Sequence, residues 1–243
     1  MIDIHAHILP AVDDGASDLG IALEMLTTAE ACGVTDIIAT PHILDKYTAL
    51  PWGKIVAQAV QLQSQARSSG LKINIHPGAE LEMNLETLTL PEYTGLNHPY
   101  ALAGSYYVLV ELPGSMIPHY ADDFWHSLHS RGLLPILAHP ERHMPLMQQP
   151  RVLDSWRANG LLIQCTANSL TGAYGSKAQK YCEWLLTAGY IDFFATDAHD
   201  NQRRSTNLRP CVELLSRYLD APSINKLLYT NPKNILNNTK YKE

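Results

Sequence analysis

The chain opens on Met1-Ile-Asp-Ile-His-Ala-His7. This short run, bounded by polar and turn residues, is predicted to be a strand ending in two histidines. A helical pattern, Leu19–Ala31, follows it, with Gly33 placed to stop the helix. The same unit then recurs. Strands are predicted over Val34–Thr40, Lys72–Pro77, Tyr106–Leu112, Leu134–Ala138, Leu161–Cys165 and Asp192–Ala195. Helices are predicted over Trp52–Ser68, Tyr120–Arg131, Arg151–Ala158, Ser176–Ala188 and Arg209–Leu219, with Gly70, Gly132, Gly160 and Gly189 as stops. Strand alternating with helix predicts an α/β chain with a parallel sheet. Seven such units without a break in composition favour one closed or distorted barrel over residues 1–243 rather than an open sheet. Only Asn237–Glu243 reads as a polar, frayed tail.

Composition narrows the function classes. The chain has 46% hydrophobic and 17% charged residues, enough apolar material for a large core and too little charge for a disordered or coiled-coil protein. The net charge is −6 and no Lys/Arg run occurs, so a nucleic-acid partner is not expected. No stretch approaches the length of a membrane span, and the first residues lack the pattern of a signal peptide. Cys32, Cys165, Cys182 and Cys211 form no CxxC pair and are expected to be reduced core thiols of a cytoplasmic protein.

The polar residues at the strand ends carry the chemistry. His5 and His7 end the first strand, and residues two apart on a strand point to one side. His42, Glu80, Glu111 and His139 stand at the ends of the second to fifth strands, and Asp197 and His199 follow the last. Asp13 or Asp14, after the first strand, could join them. Parallel βα barrels build their sites at this end of the sheet. Each residue alone has a bland reading: a chance HxH, a capping carboxylate, a core histidine. Their coincidence at six strand ends points to a metal site. Imidazole and carboxylate without thiolate suit Mn, Fe or Zn, with Mg also compatible. The ligands exceed the needs of one ion, and two ions about 3.5–4 Å apart can clamp a phosphate during in-line attack. Arg142, three residues past His139, and Arg203 and Arg204, just past His199, offer donors matched to phosphate.

The segments MIDIHAHILPAVDDGA, ATPHI, PGAEL, AHPERH and ATDAHD, in that order, resemble the PHP (polymerase and histidinol phosphatase) superfamily. Within it they are most similar to the bacterial capsule and exopolysaccharide tyrosine-protein phosphatases. The resemblance spans nearly the whole chain, and HAHILPAVDDGA is its most specific part. It implies a single-domain distorted (βα)7 TIM-like barrel, the PHP fold, with three divalent ions, often manganese. By the same resemblance, His5, His7, Glu80 and Asp197 are ligands of one ion, and Glu80, Glu111 and His139 of a second. Asp14, His42 and His199 make the third set, and Arg142 and Arg204 bind phosphate. The implied function is phosphotyrosine hydrolysis through a metal-bridging hydroxide, with Asp14, Arg142 and Arg204 in catalytic roles. The implied partner is an autophosphorylating tyrosine kinase of polysaccharide export; the oligomeric state is left open. Two rim positions depart from common relatives: Ile43 stands where a histidine or basic residue is frequent, and Asp200 where asparagine is.

Three rival readings belong beside this one. A small-molecule phosphatase, acting on histidinol phosphate or a nucleotide, would share barrel and metals. A metal-binding regulator without turnover would not need the arginines. Cys211-Val-Glu-Leu-Leu-Ser-Arg217 has the Cys-x5-Arg spacing of cysteine-dependent phosphatases, but lacks the glycines that let backbone N–H groups ring a phosphate. Tyr93, Tyr100, Tyr106 and Tyr107 form a candidate peptide-docking cluster, with ordinary loop packing as the alternative.

Overall fold

The computed structural model describes residues 1–90 and 98–239. Among the described residues, nine parallel strand segments form two sheets: β1 (Ile2–Ala6), β2 (Asp36–Ala39), β3 (His42–Ile43), β4 (Asn74–Pro77), β5 (Glu80–Glu82), β6 (Tyr107–Glu111), β7 (Leu134–Ala138), β8 (Leu162–Thr166) and β9 (Phe193–Ala195). One sheet has the order β1-β2-β4 and the other β3-β5-β6-β7-β8-β9. β2 and β3 are one strand line interrupted at Thr40-Pro41, where a proline cannot donate to a ladder. β4 and β5 are another, interrupted at Gly78-Ala79. Seven strand lines therefore correspond to the seven predicted strands. Ala6 bridges Ala198, with hydrogen bonds from His7 N to Ala198 O and from Asp197 N to His5 O, each 2.8 Å. These bonds close the ring. The closure is uneven, because β6 pairs with β5 but not with β4, whose flank meets Leu102–Gly104 instead.

Helices cover the outside: α1 (Leu19–Ala31), α2 (Trp52–Ser68), α3 (Ala121–Ser130), α4 (Met144–Gln148), α5 (Val152–Ala158), α6 (Ala167–Leu170), α7 (Ser176–Thr187), α8 (Arg209–Leu215), α9 (Ala221–Asn225) and α10 (Asn231–Leu236). Asp18 caps α1, accepting from Ile21 N at 3.0 Å. Gly132 and Gly189 follow their helices at φ 76° and 72°, as predicted for C-terminal stops. The predicted Arg209–Leu219 helix ends at Leu215, and the short helices α4, α6, α9 and α10 were not predicted.

Two apolar clusters hold the layers. Ile2, Ile4, Ile38, Leu109, Ile136, Leu162 and Phe193, drawn from six strand lines, plug the barrel below its mouth. The alternate residues Ile37, Val108, Leu137, Ile163 and Phe194 pack outward under the helices. Tyr107 is fully buried and Tyr100 nearly so, its hydroxyl donating to Leu50 O at 3.1 Å. They are core packing, not a surface docking cluster; Tyr93 lies outside the described residues. Of the predicted frayed tail, residues 237–239 are pinned: Asn238 Oδ1 accepts from Tyr106 N and Thr239 O from the Tyr107 hydroxyl, at 3.0 and 2.8 Å. No helix of the described residues is long and apolar enough to cross a membrane.

Candidate metal centre

Side chains from six of the strand lines converge at the mouth. Three groups each bring ligand atoms within 4.8 Å of one another: His5, His7, Glu80 and Asp197; His7, Asp14, His42 and His199; and His42, Glu80 and Glu111. Glu80 is fully buried, and its Oε2 lies 3.2 Å from His5 Nε2, 3.3 Å from His7 Nε2 and 3.1 Å from His42 Nδ1. Asp14 is exposed, with Oδ1 3.2 Å from His199 Nε2 and 3.5 Å from His42 Nε2. The grouping differs from the one the resemblance implied. His7 and His42 each belong to two groups, and His139 stands beside the last, its Nε2 2.7 Å from Glu80 Oε1 and 3.9 Å from Glu111 Oε2.

The far sides of the imidazoles explain their orientation. His5 Nδ1 meets Gln164 Oε1 at 2.9 Å, His7 Nδ1 meets Asp13 Oδ2 at 2.7 Å, and His199 Nδ1 meets Asp197 O at 3.0 Å. Each acceptor favours the Nδ1–H tautomer and turns the Nε2 lone pair toward the centre, the arrangement that metal-ligating histidines show. Asp13 does more, accepting from His42 N and Gly15 N at 3.0 Å each. Of the two adjacent aspartates, Asp13 thus orients and Asp14 faces the open side. Glu80 Oε2, His42 Nδ1 and His199 Nε2 are buried without a hydrogen bond. Orphaned acceptors of this kind, converging with carboxylates, fit divalent cations of borderline hardness.

Backbone turns place these groups. His139, at φ 32°, leaves β7 in the left-handed region and swings Glu141 inward and Arg142 toward the mouth. Buried Glu141 accepts from Thr166 N and the Ser169 hydroxyl at 2.8 and 2.7 Å. Asp197, at φ 50°, makes the matching turn after β9. Asp200 Oδ1 accepts from Gln202 N and Arg204 N at 2.6 and 3.1 Å, folding that loop back so that Arg204 enters the site while Arg203 stays exposed. Arg142 Nη1 donates to Asp197 Oδ2, and Arg204 Nη2 donates to the same oxygen at 2.9 Å. Ile43 is buried and packs away from the mouth in the outer core. A 530 Å³ cavity opens beside the centre; its lining includes Asp14, His42 and Glu111 together with the apolar Val12, Leu44 and Ala49.

Charge and burial compete strongly here. Burial opposes protonation of His7, yet Asp13, Asp197 and Glu80 raise its pKa well above the ordinary value. His42 is raised against burial by Glu111 and Glu80, and His139 against burial by Glu80. Despite burial, His5 and His139 hold Glu80 well below the carboxylate range; His5 and His7 do the same for Asp197. His199 goes the other way: burial and the neighbouring His7 push it down to about 3. Below the centre, burial raises Asp3 to about 6 although the Thr196 hydroxyl and N–H donate to it.

The profile of the family described as capsular polysaccharide synthesis, CpsB/CapC, matches residues 1–237. The chain belongs to the CpsB/CapC family. Among its relatives, CapC of Staphylococcus aureus is 34% identical over 212 residues, covering 86% of this chain and 81% of that one. YwqE of Bacillus subtilis, named a tyrosine-protein phosphatase, is 31% identical and covers 89% of this CpsB/CapC chain and 84% of its own. A solved structure described with YwqE and CpsB as unique metal-dependent tyrosine phosphatases matches with TM-score 0.90 and 29% identity, over 100% of this chain and 96% of that one. A β-aspartyl dipeptidase from Fervidobacterium islandicum, at TM-score 0.58 and 14% identity, shares the fold alone.

Asp13, read from sequence as an alternative ligand to Asp14, instead orients His7 from behind. Gln164, Glu141 and Tyr174 have no role readable from sequence. They act on the site from loops or strands whose approach depends on ring closure.

Proposed function

We propose that this chain is a metal-dependent protein-tyrosine phosphatase, one catalytic unit over residues 1–243, acting on a phosphotyrosine protein such as an autophosphorylating kinase of capsule or exopolysaccharide synthesis. The observation that carries the reading is the convergence of three Nδ1-anchored imidazoles, a buried carboxylate oxygen without a hydrogen bond and two arginines on one barrel mouth. A regulator that only binds metal has no use for Arg142 and Arg204; a phosphatase does. In this reading His5, His7, Glu80, Asp197, Glu111, His139, Asp14, His42 and His199 hold up to three divalent ions, manganese foremost. Bound ions supply Lewis acidity and a water nucleophile active at neutral pH.

The chain's own residues do the rest. Arg142 and Arg204 present N–H donors to the phosphoryl oxygens and keep them oriented. Asp14, exposed at the rim beside His199, is placed to bind an ion or hold a proton near the reacting oxygens. The apolar lining residues Val12, Leu44 and Ala49 suit an aryl ring. A tyrosyl leaving group, with a pKa of about 10, needs little protonation. We place the protein in the cytoplasm, where its substrate kinase would present its phosphorylated segment.

The test is hydrolysis of a phosphotyrosine peptide with and without Mn²⁺, beside histidinol phosphate and a His5→Ala/His7→Ala variant. Metal-dependent release from the peptide, lost in the variant, is expected. Metal-loaded wild type that leaves the peptide intact and cleaves histidinol phosphate would move the reading to small phosphate esters.

A further inference from the structure

Besides Asp197, a second side chain touches both arginines. Tyr174 stands between α6 and α7, at the mouth end of β8. Arg204 Nε donates to the Tyr174 hydroxyl oxygen at 3.1 Å, and the Arg142 guanidinium carbon lies 4.6 Å from the centre of the Tyr174 ring. Beyond the tyrosine, both guanidinium groups reach Asp197 Oδ2. We propose that Tyr174 is the positioning residue of the phosphate clamp: its ring and hydroxyl fix Arg142 and Arg204 so that both address one phosphate monoester together. The inference rests on the phosphoesterase reading above and adds a residue that sets how that site holds its substrate.

The physical need is clear from the geometry. Arg142 and Arg204 are long, flexible cations, with side chains 29% and 26% exposed, brought to the same carboxylate oxygen. They repel each other, and one carboxylate neutralises only one of them. In the proposed centre Asp197 must also serve a metal, which weakens its hold on the arginines. Tyr174 supplies what is missing without adding charge. Its ring face attracts the Arg142 cation. Its hydroxyl takes the Nε–H of Arg204, which leaves the two-nitrogen edge of that guanidinium to face an anion. Phenylalanine could supply only the ring, and alanine neither part.

The loop that carries Tyr174 is itself fixed. Gly172 and Gly175 bracket it at φ 86° and 90°, and Gly175 N donates to Gly172 O at 2.9 Å. Ala173 N donates to Asn168 O at 3.0 Å, and Asn168 Nδ2 donates to Arg203 O at 3.4 Å. The tyrosine loop is therefore tied to the residue preceding Arg204. A Cβ on Gly172 would come within 3.0 Å of Gln179 Oε1, so the turn is also closely packed against α7.

The experiment compares Mn²⁺-loaded wild type, Tyr174→Phe and Tyr174→Ala. Orthophosphate affinity is measured by calorimetry, KM and kcat with an aryl phosphate, and metal content by elemental analysis. We expect Tyr174→Ala to weaken orthophosphate binding about tenfold and to raise KM in parallel, with kcat falling less and metal content unchanged. Tyr174→Phe should lose about threefold, since the ring remains. In an Arg142→Lys background, which lacks the planar cation, the alanine change should cost less than in wild type. Wild-type phosphate affinity and KM in Tyr174→Ala would overturn the proposal, as would a loss fully accounted for by missing metal or undiminished in the Arg142→Lys background. Metal-loaded wild type that neither binds orthophosphate nor cleaves aryl phosphate would instead overturn the phosphoesterase reading, and the clamp with it.

Discussion

Asp13 shows how much a single residue decides here. Its carboxylate holds His7 Nδ1 at 2.7 Å and its pKa is lowered to about 2, with burial opposing and His7 favouring the charged form. Asp13→Asn keeps the shape but can present an N–H to a nitrogen that must donate. It is expected to weaken metal binding or activity by about 10–100-fold, measured by competition with a chelating dye. Cys211 is the opposite case. It is buried in α8 with its thiol pKa raised by burial, so the Cys-x5-Arg spacing is a helical coincidence. Cys211→Ser should lower stability by about 1–2 kcal/mol through a buried hydroxyl and leave metal-dependent turnover intact. A variant that kept its metal yet lost all activity would restore the cysteine mechanism.

Among the elements, β1 and the loop behind it do the most. Ile2 and Ile4 belong to the inner cluster, so strict alternation would send His5 outward with Asp3. The pairing of β1 with β2 slips between Asp3 and Ala6, a bulge that brings His5 to the mouth after Ile4. Asp3 stays outside, bound to Thr196 N and its hydroxyl at 3.1 and 2.6 Å. The loop then folds back onto His7: Ala16 N donates to His7 O at 3.0 Å, and a Cβ on Gly15 would lie 2.2 Å from that oxygen and 2.5 Å from His7 Cβ. Gly15→Ala cannot keep both contacts. We expect it to cost about 2–4 kcal/mol by chemical denaturation and to displace Asp13 and Asp14 together. An unaltered midpoint with normal metal affinity would show that the loop has room to spare.

For the whole molecule, the proposed centre would act as a crosslink once loaded. The side chains proposed as ligands come from six strand lines, so bound metal would tie the seam between β1 and β9 to the opposite wall. Free ion at a hundredfold its Kd adds about 2.7 kcal/mol to folding, so chelation should lower Tm by roughly 5–10 °C. The metal-free protein has its own pH signature. His7, His42 and His139 have folded pKa values raised above the unfolded value. Their contribution is complete below the unfolded value of about 6.5 and is lost as pH rises through the folded values. Chelated protein should therefore melt at lower temperature as pH rises above 7, by calorimetric scans. Metal affinity should rise over the same range, because the ion displaces those protons. Parallel pH trends for the two forms would contradict the assignment of these histidines to the site.

The sequence by itself determined the strand–helix rhythm, the capping glycines and the chemical types at the strand ends. These are local: a strand, a helix stop or a histidine after a strand is encoded within a few neighbouring residues. Hence His5, His7, His42, Glu80, Glu111, His139, Asp197 and His199 were legible together as one converging set of imidazoles and carboxylates. Only the tertiary structure decided which aspartate orients His7, that Gln164 anchors His5, that Tyr107 is core, and that Tyr174 joins the two arginines. Those facts depend on contacts such as the 159-residue separation between His5 and Gln164, fixed only when the ring closes. The inward turn of His5 is decided by the pairing slip between β1 and β2, and pairing register belongs to two strands at once.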